Sequence, residues 1–94
     1  MTAYYPPTPK LLTPKLLTNV TEAVRSVLRD PDLELTLATS LDDIPGWDSM
    51  DLIAVVVELE CRFDILFELP ELEAFYAVGD LVRGVAAKCS LQAA

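Results

Sequence analysis

Residues 41–50 read Leu41-Asp42-Asp43-Ile44-Pro45-Gly46-Trp47-Asp48-Ser49-Met50 and set a single serine between an acidic loop and a strongly apolar helix. Pro45-Gly46 supplies a turn, and Asp48 is the residue type that accepts hydrogen bonds from the first free N–H groups of a helix. The chain reads as helical immediately behind it. A hydroxyl in that place sits at the positive end of a helix dipole, where exposed N–H groups can hold a phosphate. Ser49 is thus a natural attachment point for a phosphorylated group.

Working outward, the spacing predicts a helix from Ser49 to about Phe63. Leu52, Val55, Val56, Leu59 and Phe63 form one continuous stripe and are the core candidates. Met50, Ile53 and Val57 fall outside that stripe, on a second face below Ser49. Either this row binds a partner or a neighbouring helix covers it, and the sequence leaves both open. Upstream, Leu16, Leu17, Val20, Val24, Val27 and Leu28 recur at helical spacing and predict a first helix from Pro14 to about Arg29, with Thr13 as N-cap. Asp30-Pro31-Asp32 ends it. Residues 33–47 are expected to be a long packed loop anchored by Leu33, Leu35, Leu37 and Leu41, since no partner strand is evident. A short third helix is expected from Leu69 to Phe75, opened by Pro70, and a last one from Val78 to about Cys89 that Gly79 and Gly84 weaken. The reading is all-α: a four-helix bundle with a long loop between helices one and two and a short third helix. Residues 1–13, with Pro6, Pro7 and Pro9, are expected to be an extended arm, leaving 14–94 as one domain. The pentapeptide Thr8-Pro9-Lys10-Leu11-Leu12 repeats at Thr13 to Leu17, too short a repeat to build an architecture.

At 94 residues and 52% apolar content, the chain is large enough for a packed core without a staple. The longest run with no polar residue, Leu52 to Val57, is far short of the roughly 20 residues a bilayer requires. With no signal-like apolar stretch at the start, no membrane insertion and a cytoplasmic location are expected. The net charge of −8 is unevenly spread: residues 30–80 hold 14 acids against Arg62 alone. Such a field repels nucleic acid and attracts basic protein surfaces, although acids also simply keep a small apolar protein dissolved. Cys61 and Cys89 are too few and too far apart for a disulfide framework, and both are expected to be buried or incidental thiols. With no histidine in the chain, and with Asp42, Asp43, Asp48 and Asp51 off the EF-hand spacing, no metal site is expected.

Leu41 eight positions before the serine, Asp48-Ser49-Met50, Leu59, Glu60, Phe63-Asp64-Ile65 and Val78-Gly79-Asp80-Leu81 lie in an order that resembles the acyl carrier proteins over about residues 14–89. The resemblance implies that a phosphopantetheinyl transferase attaches 4′-phosphopantetheine from coenzyme A to Ser49, beside the motif residue Asp48. The thiol of that arm would then carry acyl or aminoacyl groups as thioesters. It also implies a docking surface at Asp48, Met50, Asp51, Ile53, Val57 and Glu60. The implied partners are an acyl- or aminoacyl-activating ligase and a downstream transferase or synthase, with the chain a freestanding monomer.

This chain departs from many fatty-acid carriers at Ala54, Cys61 and Arg62, where they carry further acids, and at Trp47, where they have a small residue. These departures favour a dedicated carrier of a specialised pathway, aminoacyl and D-alanyl carriers included, that docks more through apolar contact. Trp47 either packs as core or braces the arm. Two other classes remain: a carrier-like domain that is never modified and only binds a partner, and an enzyme. The enzyme is the weaker, because Gly46-Trp47-Asp48-Ser49-Met50 is not a Gly-x-Ser-x-Gly elbow and Asp48 suits a helix cap better than a general base.

Overall fold

The computed structural model describes the backbone of residues 13–93 and the side chains of residues 14–89. The expected arm therefore lies, Thr13 apart, outside the described residues. The chain forms α1 (Thr13–Leu28), a 3-10 turn at Leu41–Asp43, α2 (Ser49–Phe63), α3 (Leu69–Glu73) and α4 (Val78–Ala93). Among the described residues there is no β-strand, only an isolated antiparallel bridge between Ser40 and Ala77.

Each boundary has a local cause. Thr13 is the first residue of α1 rather than the cap outside it, a one-residue shift. Arg29 closes α1 in the left-handed region (φ 55°), and the N–H of Asp30 returns to the carbonyl of Arg25 at 3.1 Å. Asp64 does the same for α2 (φ 55°), with the Ile65 N–H returning to Glu60 at 3.2 Å. These returns satisfy carbonyls that a helix end otherwise leaves bare. The third helix stops at Glu73, short of the expected Phe75, because its last turn tightens to three-residue spacing, with Phe75 N–H on Leu72 O at 3.2 Å. The fourth runs to Ala93, beyond the expected Cys89, since no proline or glycine follows Gly84 to stop it.

α1 packs against both α2 and α4. Between them lie Val20, Ala23 and Val24 of α1, Val55, Val56 and Leu59 of α2, and Leu81, Val82 and Val85 of α4, all buried. Each large side chain in this set contributes about 2 kcal/mol of apolar burial. Leu52 and Phe63, expected in the core, are partly buried against it. Arg62 adds a polar tie: it pairs with Glu58 on its own helix at 3.1 Å and with Glu22 of α1 at 3.0 Å. Hydrogen bonding to Glu58 outweighs the opposing effect of burial and, with Glu22, holds the guanidinium pKa above its ordinary value.

The long loop is packed, as its leucines predict: Leu35, Leu41 and Ile44 are buried, Leu33 is half-buried and Leu37 is exposed. Its far end is stitched to the start of α4. Leu41 N–H donates to Tyr76 O, Val78 N–H to Thr39 O and Gly79 N–H to Leu37 O, each at 2.9 Å. Gly79 is required by this approach, because a Cβ there would stand 2.8 Å from the Leu37 carbonyl oxygen. The expectation that Gly79 and Gly84 only weaken α4 is thus incomplete: both are points where other parts of the chain lie directly on the helix. This stitch fixes the loop that leads to Ser49.

Candidate functional site

Gly46 (φ 78°) makes the turn, and the Trp47 N–H donates to Ile44 O at 3.1 Å. The Trp47 side chain is half-buried against the core, which favours the packing reading of that residue. Asp48 follows in extended conformation (φ −139°, ψ −179°) as the N-cap of α2. Its Oδ1 accepts from the Asp51 N–H at 2.9 Å, while Asp51 Oδ2 accepts from the Asp48 N–H at 2.9 Å. The two carboxylates thus close a reciprocal capping box.

Ser49 is the first residue of α2 and is exposed. Its own N–H and that of Met50 are among the first four of the helix, which have no carbonyl partner within it. Asp48 and Asp51 each commit one carboxylate oxygen to a backbone N–H of the capping box. The arrangement therefore fits a phosphodiester: an exposed hydroxyl, backbone donors beside it and the positive end of a fifteen-residue helix.

Below Ser49, the apolar row is uncovered. Met50 is 67%, Ile53 46% and Val57 50% exposed, so no neighbouring helix of this chain's described residues packs over it. Glu60, expected on the docking surface, has an internal task as well: its Oε2 accepts from the Phe67 N–H at 2.8 Å and fastens the segment after α2. Of the two thiols, Cys61 is exposed, whereas Cys89 is half-buried and its burial pushes the thiol pKa up. Three further exposed apolar residues, Leu66, Leu69 and Tyr76, were missed from sequence. They lie on the short segments around α3, where there is too little periodicity to tell a buried face from an open one. Among the described residues no group of histidine, cysteine or acidic side chains gathers to hold a metal ion, and no helix is long and apolar enough to cross a membrane.

Comparison with known proteins agrees with this geometry. Residues 19–85 match the family described as a phosphopantetheine attachment site. An acyl carrier protein from Exiguobacterium sp. (strain AT1b) is 35% identical over 74 residues, which span 79% of this chain and 94% of that protein. One from Streptococcus pyogenes is 44% identical over 55 residues, covering 58% of this chain and 70% of its own length. The solution structure of a holo acyl carrier protein from Geobacter metallireducens superposes with a TM-score of 0.76 at 36% identity, over 83% of this chain and 90% of that one. The chain belongs to the phosphopantetheine-attachment family as an acyl carrier protein. Members of this family are carriers, not catalysts, and 4′-phosphopantetheine is the group they bear.

Proposed function

We propose that Ser49 bears the 4′-phosphopantetheine, placed there by a phosphopantetheinyl transferase, and that residues 14–94 act as the carrier domain. The observation that carries this reading is the exposed Ser49 hydroxyl at the first turn of α2, beside the first backbone donors of the helix and within the Asp48–Asp51 capping box. Ser49 is a tether. The thiol at the far end of the arm carries acyl or aminoacyl groups as thioesters, and one flexible arm lets the same cargo visit several partner enzymes.

The partners dock at Asp48, Met50, Asp51, Ile53, Val57 and Glu60. Arg62 supports an apolar bias in that docking, because its charge is taken up by Glu58 and Glu22 within the fold, while Met50, Ile53 and Val57 stand open. Together with Trp47, Ala54 and Cys61, this favours a specialised biosynthetic pathway in the cytoplasm, in which an acyl- or aminoacyl-activating ligase loads the carrier and a transferase or synthase unloads it. Treatment with coenzyme A and a broad-specificity transferase, followed by proteolysis and tandem mass spectrometry, should place the added group on the Ser49 peptide. Loading assays on the modified protein then test the cargo. Acylation by an adenylating ligase is expected, and acceptance of malonyl groups alone would contradict the specialised role.

A further inference from the structure

The pentapeptide Thr-Pro-Lys-Leu-Leu occurs twice in succession, at residues 8–12 and 13–17. The second copy shows what the motif can do: Pro14 lies in the first turn of α1, Leu16 is buried and Leu17 packs against the core. The first copy falls outside the described residues, but it carries the same lysine and the same leucine pair, with the same drive to leave water. Ahead of it stand Tyr4 and Tyr5, and Lys10 is the one charged side chain of residues 1–12. Pro6, Pro7 and Pro9 restrict the backbone there, so less order is lost when the segment docks.

An open groove of about 600 Å³ at the end of α2 suits such a segment, lined by Val57, Cys61, Ile65 and Leu66 together with the acids Glu60 and Asp64. Its apolar wall is uncovered: Val57 is 50% and Leu66 77% exposed, and Cys61 is exposed. The groove is within reach. Glu22 of α1 meets Arg62 in the last turn of α2 at 3.0 Å, so the first half of α1 runs beside the end of α2. Twelve extended residues span up to about 40 Å, more than the 37 Å of the fold's longest extent. Charge is complementary as well, since the groove is lined by two acids and no base, whereas the segment brings Lys10 and no acid. A second copy of the chain, at −8, would set acids against acids.

We propose that residues 4–12 dock on their own chain in this groove, with Leu11 and Leu12 on the wall of Val57, Cys61 and Leu66 and with Lys10 toward Glu60 and Asp64. The first copy of the repeat then does on the outside of the bundle what the second does within it. Because Val57 and Glu60 also belong to the proposed partner surface, the segment and a partner enzyme contend for the lower end of α2. That consequence rests on the carrier reading; the docking itself does not.

The Cys61 thiol reports on the groove, and the half-buried Cys89 thiol reports on the bundle. In the full chain, the rate of N-ethylmaleimide addition at each cysteine is read by tandem mass spectrometry of its peptide, an assay that needs no phosphopantetheine on Ser49. Leu11→Ser/Leu12→Ser removes the apolar hold and should speed labelling of Cys61 about fivefold. Lys10→Glu, which sets a third acid beside Glu60 and Asp64, should speed it about twofold. Cys89 should keep its rate in both variants. Unchanged labelling of Cys61 in both would overturn the docking, and so would an equal rise at Cys89, which would trace the change to the bundle. A parent rate at Cys61 that falls as the protein is concentrated would give the groove to a second copy and overturn docking within one chain.

Discussion

Asp48 and Asp51 cap each other across the start of α2, each carboxylate accepting from the other's backbone N–H at 2.9 Å. The pair does two jobs with one geometry: it satisfies the helix end, and it holds Ser49 between its two members as the first exposed hydroxyl of the helix.

Asp48→Ala removes the acceptor for the Asp51 N–H and also leaves the Asp51 carboxylate without its counterpart in the box. A loss of about 1 kcal/mol in folding stability is expected, read as a lower midpoint in urea. Asp48→Asn keeps an acceptor and should lose only a fraction of that. Equal stability of the alanine variant and the parent would show that the box does not hold the helix start.

Gly79→Ala ought to stabilise a helix by about 1 kcal/mol on propensity alone. Here the sign should reverse. The new Cβ meets the Leu37 carbonyl oxygen, a backbone atom that cannot swing away, and the Gly79 N–H bond to that oxygen is strained or lost. A net loss of roughly 1–2 kcal/mol is expected, measured by thermal or chemical unfolding. A gain would mean that the loop is free to retreat from α4.

The acid side of the stability curve should carry the mark of Asp80. Burial alone would raise its pKa, but the Tyr76 and Ala77 N–H groups and the Arg83 guanidinium outweigh it and hold the carboxyl below its ordinary value. Since the folded pKa is below the unfolded one, the stabilisation is complete above about pH 4 and disappears as the pH falls through the folded value. Asp80→Asn should therefore be less stable than the parent at neutral pH, and the gap should close in strong acid. A gap independent of pH would assign the loss to packing instead of charge.

The exposed row should separate binding from folding. Ile53→Glu and Val57→Glu place charge on side chains already about half in water, so folding stability should move by no more than about 0.5 kcal/mol. Transfer of phosphopantetheine by a given transferase should nevertheless fall about tenfold in kcat/KM if these residues anchor the partner. Unchanged transfer in both variants would remove the row from the docking surface.

The sequence made α2 legible because its signals agree: a capping aspartate and an apolar stripe fall on one helix. The site's hydroxyl was readable for the same reason. What pattern did not show was how segments meet across space. Glu60 looked like a surface acid and turns inward to Phe67, and Gly79 looked like a weak point and is the contact with Leu37. The packed loop at Leu33, Leu35 and Leu37 was legible for want of a partner strand, but not that it bonds its far end to α4. Each of these depends on a partner far along the chain, which periodicity cannot report.

The central claim is that this carrier bears its arm on Ser49, and intact mass spectrometry of the parent and Ser49→Ala after identical treatment with coenzyme A and a broad-specificity transferase tests it most directly. The account predicts that the parent gains the mass of one phosphopantetheine and the variant gains none, with both folded by circular dichroism. A parent that gains nothing, or a variant that gains the same mass, would contradict it.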